Sequence, residues 1–148
     1  MKLIATQTPL EKTWQNRKFN TMSFPSSMSV IEMHGTGRPD VLQLGTRPLP
    51  VLRDHEILVK VSAAGVNGPD LVQRRGYYPP PKGASDLLGL EVSGEVVSVG
   101  AKQTIWAIGD KICGLTNGGG YAEYVAIDVN SRAFGPSIRI IIHSCFLE

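Results

Sequence analysis

Between Ser29 and Ile127 apolar and polar positions alternate in short runs, and glycine, proline or aspartate breaks each run after a few residues. Period-two alternation is the mark of a strand with one buried face. Residues 29–33 (SVIEM) read as a first strand, and the Gly, Pro and Asp of residues 34–40 as a turn. Residues 41–50 alternate into a second strand that the prolines must stop. The clearest alternation spans residues 56–66, with Ile57, Val59 and Val61 on one face and Leu58, Lys60 and Ser62 on the other. That pattern predicts a half-buried antiparallel strand. Val92, Val96, Val97 and Val99 mark another strand, and Gly94 inside it predicts a bulge or a close approach of another backbone. Residues 106–115 read as a turn and then a strand, with a hairpin-type turn at Gly109 and Asp110. Residues 118–127 read as a glycine turn followed by an alternating strand. The sum is about six or seven short strands, hence a mainly β domain closed into a small barrel or sandwich.

One stretch departs from period two. In residues 67–76 Asn67 or Gly68 can cap a short helix, Pro69 suits its first turn, and Asp70 sits where a helix dipole favours an acid. Leu71, Val72, Arg74 and Arg75 carry the helix, and Gly76 is placed to end it in a left-handed conformation. Tyr77 and Tyr78 follow, and Pro79, Pro80 and Pro81 hold an extended loop. On chain logic alone Asn67 and Asp70 are helix caps. Polar side chains nevertheless gather between Asn67 and Gly100, which makes this stretch the candidate wall of a cleft.

Composition narrows the function classes. The chain has 148 residues, one domain's length, of which 42% are hydrophobic and 19% charged, so a folded core is expected rather than wholesale disorder. A net charge of +2, with Lys and Arg scattered, does not predict a nucleic-acid partner. No apolar run reaches the roughly 18–20 residues of a membrane-spanning helix. Cys113 and Cys145 allow a disulfide by count, but a reduced intracellular chain is the expectation. His34, His55 and His143 share no metal-ligand spacing with them and read as surface or turn histidines.

The ends differ from the middle. Residues 1–27 are polar and weakly basic, with Lys12, Arg17 and Lys18 against Glu11. They read as a disordered extension ahead of a second start at Met28, or as a transit-like segment. Localisation follows that choice, cytoplasmic for the first and mitochondrial for the second. Residues 28–134 form the expected domain. Residues 135–148 form a separate tail whose apolar run, Ile138 to Ile142, is an aggregation hazard unless it pairs with the barrel.

No complete nucleotide-binding motif is present. Gly35 and Gly37 supply two glycines of a Gly-x-Gly-x-x-Gly, but Asp40 holds the third place. Gly118 and Gly120 fail likewise, with Glu123 third and a strand following. There is no phosphate-binding loop of the Walker type and no Gly-x-Ser-x-Gly.

Four separated motifs, NGPDLVQRRGYYPPP, GLEVSGEVVSVG, IGDKICGL and GGGYAEYV, occur in one order. In that order the chain resembles the medium-chain dehydrogenase/reductase superfamily over residues 28–134. More narrowly it is similar to the zinc-independent quinone oxidoreductase branch, the zeta-crystallin-like and p53-inducible quinone reductases. The resemblance implies a GroES-like catalytic domain, a small β-barrel with short helices. In the family an NADPH-binding Rossmann domain follows it, and the final segment returns to complete the catalytic domain. The Rossmann domain is expected to be absent here, and a truncated, spliced or frameshifted product would account for the tail.

Zinc-dependent relatives place a zinc-binding cysteine where Asn67 stands and a histidine where Leu90 stands. The resemblance therefore implies no metal. Alcohol oxidation needs a Lewis acid to form an alkoxide, whereas a quinone or enone is already electrophilic. By the same resemblance Asn67 and Asp70 lie near the nicotinamide of NADPH, with Asn67 and Tyr78 as the catalytic candidates. Tyr78 can donate a hydrogen bond to a carbonyl oxygen as charge develops. Glu91 reads as a buried acid or an arginine's partner, and Gly118 to Gly120 as a turn near the cofactor. Two functions stay open: the catalytic part of a quinone or enone reductase, inactive alone, or an interaction module that associates with a full-length homologue.

Overall fold

The computed structural model describes residues 24–129. The expected extension falls on residues 1–27, of which 1–23 lie outside this range. The tail at 135–148, with Cys145 and His143, lies outside it entirely.

Six strands and one α-helix make up the described chain: β1 (Ser27–Met33), β2 (Leu42–Pro48), β3 (Glu56–Gly65), α1 (Gly68–Arg74), β4 (Glu91–Val99), β5 (Lys111–Leu115) and β6 (Tyr124–Asp128). All strand pairs are antiparallel. β1 and β2 form a ribbon, and the other four form a sheet in the order β5-β4-β3-β6. The residues just before β6 join the two. Val30 bridges Ala122, the Ile31 N–H donates to Tyr121 O at 2.8 Å, and the Glu123 N–H donates to Ser29 O at 3.1 Å. The strands thereby curl into a small barrel, left open between β2 and β5 among the described residues.

Of the barrel or sandwich expected from alternation the barrel is present, with three local differences. Val41 does not start β2, because Pro39 holds residues Pro39–Val41 in a 3-10 turn. The Gly109–Asp110 turn closes a long loop between β4 and β5 rather than a tight hairpin. Leu58, assigned to the outer face of β3, is buried together with Ile57 and Val59.

The main core is β-branched: Ile57, Val59, Val92, Val96, Ile112, Val125 and Ile127, with Val129, and Trp106 packed at its margin. Side chains of this shape pack well on a pleated surface. Met28, Val30 and Leu87 form a second cluster under the β1–β2 ribbon. Arg47 pins that ribbon to the segment before β4. Its Nε and Nη2 donate to Glu32 at 2.8 and 2.9 Å, and its Nη1 donates to Asp86 at 2.8 Å. The guanidinium holds both carboxyls below the usual carboxylate range.

Helix α1 ends as its sequence predicts. Gly76 has φ of 87°, its N–H donates to Gln73 O, and the Tyr77 N–H donates to Val72 O, the paired bonds of a Schellman cap. Its orientation is not predicted. Asp70, Gln73 and Arg74 are buried while Leu71 and Val72 are exposed, so the helix turns its polar face inward.

Candidate active site

The site grows from the N-terminal end of α1. Asp70 is 2% exposed, and both of its carboxylate oxygens are engaged. Oδ2 accepts from the Asn67 N–H at 2.9 Å, the carboxylate half of a capping box. Oδ1 accepts from the Gly89 N–H at 3.1 Å, nineteen residues away. One acid therefore closes the helix start and clamps it to the segment entering β4. The helix-cap reading from the sequence accounts for the first bond and misses the second.

Asn67 is half-buried. Its Nδ2 donates to Glu91 Oε2 at 3.0 Å. Glu91 opens β4 opposite Gly65 at the end of β3, so the paired strands bring the acid to the residue that precedes the helix. Asn67 keeps a second amide hydrogen, able to donate to a ligand carbonyl or hydroxyl oxygen. Asn67, Asp70 and Glu91 thus form one hydrogen-bonded group with the Gly89 backbone. Tyr78 lies on the loop after α1, 46% exposed, and makes no hydrogen bond among the described residues. Leu90 stands half-buried between Gly89 and Glu91, with a side chain that offers no ligand to a metal. No group of three or more His, Cys, Asp and Glu is placed to hold a metal ion among the described residues.

The glycine triplet has a packing reason. Gly119, Gly120 and Tyr121 donate in turn to Leu87 O, Gly89 O and Leu88 O at 2.9, 3.0 and 3.0 Å. A Cβ on Gly89, whose φ is 99°, would lie 2.5 Å from the Tyr121 nitrogen. Only glycine lets these two backbones touch. The contact puts the Tyr121 hydroxyl, buried and without a hydrogen-bond partner, into the field of Asp70. Sequence reasoning left Tyr121 out. The available signal was an aromatic residue directly after three glycines, which is a mark of close backbone approach as much as of a turn.

Burial and the neighbouring Asp70 charge push the Tyr121 hydroxyl up to about 12. The folded state therefore holds this proton more tightly than an unfolded chain, where tyrosine titrates near 10. The contribution is complete below about pH 10 and is lost as pH rises toward 12. Tyr121→Phe is expected to flatten the loss of stability above pH ~10. Urea midpoints measured across that range check this, and parallel curves for the two proteins would refute it.

A cavity of about 380 Å³ opens beyond the glycine triplet, lined by Ser85, Thr116, Asn117, Tyr124 and Asp128 among others. None of Asn67, Asp70, Tyr78 or Glu91 lines it.

Residues 53–134 match the family described as the alcohol dehydrogenase GroES-like domain. The quinone oxidoreductase of Lama guanicoe is 35% identical over 99 residues, 66% of this chain and 30% of that protein. Synaptic vesicle membrane protein VAT-1 of Tetronarce californica is 35% identical over 112 residues, 74% of this chain and 28% of that protein. The solved quinone oxidoreductase from Coxiella burnetii aligns with a TM-score of 0.62 at 34% identity, covering 69% of this chain and 35% of that one. The chain spans about 30% of the length of the curated relatives it matches.

Fold and matches together define the class: the N-terminal, GroES-like domain of a medium-chain dehydrogenase/reductase. Within that class, the chain belongs to the alcohol dehydrogenase GroES-like domain family and to its quinone oxidoreductase-like branch.

Proposed function

We propose that this chain is the substrate-side half of a zinc-independent, NADPH-linked reductase of quinones or α,β-unsaturated carbonyls. The observation that carries the reading is the Asn67–Glu91 hydrogen bond. At the place of a zinc-binding cysteine stands an amide tied to a carboxylate, with Leu90 beside it. This donor set suits the edge of a nicotinamide better than a metal.

NADPH, when held by a nucleotide-binding domain, would supply the hydride. The half-free amide of Asn67 would meet the nicotinamide carboxamide, and Asp70 would act from behind by fixing Asn67 and Gly89. As hydride reaches the acceptor, charge grows on its carbonyl oxygen, and the exposed Tyr78 hydroxyl is free to donate a hydrogen bond there. An electrophilic acceptor needs this orientation and hydrogen bonding more than a Lewis acid.

By itself the chain is expected to reduce no quinone with NADPH; clear turnover by the purified chain would end that part of the reading. Residues 28–134, grafted in place of the corresponding segment of a full-length quinone oxidoreductase, are expected to give NADPH-dependent reduction that chelators leave intact. Tyr78→Phe in the graft should lower kcat about 10–100-fold. An inactive but folded graft would refute the family activity, and loss of activity to chelators would refute zinc independence. A second reading rests on Val66, which is 71% exposed next to Asn67, and on Leu71 and Val72, exposed on α1. These exposed apolar side chains would suit an interaction module that docks on a full-length homologue; a pull-down with size-exclusion chromatography separates the two.

A further inference from the structure

β6 lies at the end of its sheet and pairs with β3 alone among the described strands. The contact with β1 stops just before it, at the bond from the Glu123 N–H to Ser29 O. All five residues of β6, Tyr124–Asp128, line the cavity of about 380 Å³. The two faces of a strand alternate, so a cavity lined by odd and even positions alike runs along the strand's edge. Met28 and Leu87 line it as buried side chains, and Val51 lines it 89% exposed. Its hydroxyls are already engaged: Ser85 Oγ accepts from the Leu87 N–H at 3.2 Å, and Thr116 Oγ donates to Gly118 O at 3.0 Å. Such a place calls for a strand rather than a polar small molecule, because a sheet edge is a template for further pairing.

The chain itself supplies a fitting strand. Residues 138–142 read IRIII, four of the five β-branched, and match β6 in length. Residues 129–137 link the two segments, nine residues that reach about 30 Å when extended, against the ~17 Å length of β6. A parallel return needs a crossover of about a dozen residues or more, so this link permits an antiparallel one. Gly135 and Pro136 within it are turn formers. Charge agrees as well. The charged residues lining the cavity are Arg53, Glu56 and Asp128, a net negative set, and Arg139 is the one charged residue of the run.

We propose that residues 138–142 dock on this edge within the same molecule, as a strand antiparallel to β6. Period two gives that strand an apolar face of Ile138, Ile140 and Ile142 to cover Met28 and Leu87, and leaves Arg139 on the other face. The proposal is independent of the reductase activity, since Asn67, Asp70, Tyr78 and Glu91 take no part.

Residue-resolved hydrogen exchange by NMR on the full 148-residue chain tests it. Amides of residues 138–142 are expected to exchange at least about tenfold more slowly than in a free chain, equally at two protein concentrations. Ile140→Asp should release them and speed exchange along Tyr124–Asp128 about tenfold, with β4 and β5 unchanged. Should that variant not fold, Arg139→Glu is expected to do the same by about twofold to fivefold. Free exchange throughout residues 138–142 would overturn the proposal. So would protection that rises with concentration, which belongs to a second copy, or exchange in β6 that neither variant alters.

Discussion

Replacing Gly94 by alanine is expected to destabilise the domain by about 3 kcal/mol or more, among the larger effects a single methyl group can have. A Cβ at this position would lie 2.1 Å from the Lys60 carbonyl oxygen and 2.9 Å from Val59 Cγ1. The first of these atoms is backbone in the middle of β3, so no side-chain rotation relieves the contact. The β3–β4 register already shifts on either side of Val61, between Leu58 and Val59 and between Val61 and Ala63. Moving the strands apart there would open the core between Val59, Val92 and Val96. Urea denaturation gives the number directly. A midpoint equal to that of the parent chain would show that β4 can shift without cost.

Asp70→Ala is the second large effect, and it separates framework from chemistry. Truncation leaves the part-buried Asn67 and the buried Gly89 N–H groups without their acceptor, at about 1–3 kcal/mol for the buried donor and less for the other, so a loss of about 2–4 kcal/mol is expected. Asp70→Asn keeps one carbonyl oxygen but turns an amide group toward the other donor, and should fall between. Asn67→Ala removes the part-buried bond to Glu91 and the side-chain half of the N-terminal cap, and is expected to cost about 1 kcal/mol. If Asp70→Ala and Asn67→Ala destabilised equally, the clamp between α1 and Gly89 would not be the main role of Asp70. In the grafted enzyme the order should reverse in kcat per unit of folded protein, because Asn67 is the group with a free edge toward a ligand.

These two results concern different kinds of legibility. Gly94 was readable: a glycine within a valine-rich alternating strand has few explanations, and a close backbone approach is one of them. Asn67 and Asp70 were readable in place, as the start of a helix, but not in partnership. Gly89 and Glu91 lie more than twenty positions beyond Asn67, and only the antiparallel pairing of β3 with β4 returns them. Tyr121 was hidden for the same reason. Its contact with the Asp70 field depends on a backbone-to-backbone seam between residues 87–89 and 119–121, which leaves no periodic trace.

The inward polar face of α1 was partly visible. Asp70, Gln73 and Arg74 stand at the i, i+3, i+4 spacing of one helix face, as regularly as any apolar stripe. The usual expectation that the apolar face turns inward assigns the wrong side, because Leu71 and Val72 are exposed. Polar groups can face inward here because Asp70 meets backbone donors that a strand entrance leaves unpaired.

Alternation, glycine spacing and four ordered motifs therefore determined the mainly β fold, the short helix at residues 68–74 and the family. Each is a local property, set by how successive side chains point along a strand or helix. Tertiary structure alone decided which groups form the site. The hydrogen bond between Asn67 and Glu91 depends on distances between segments far apart in sequence. Those distances are set by strand register and by glycine seams, where a shift of one residue would turn every side chain to the other face.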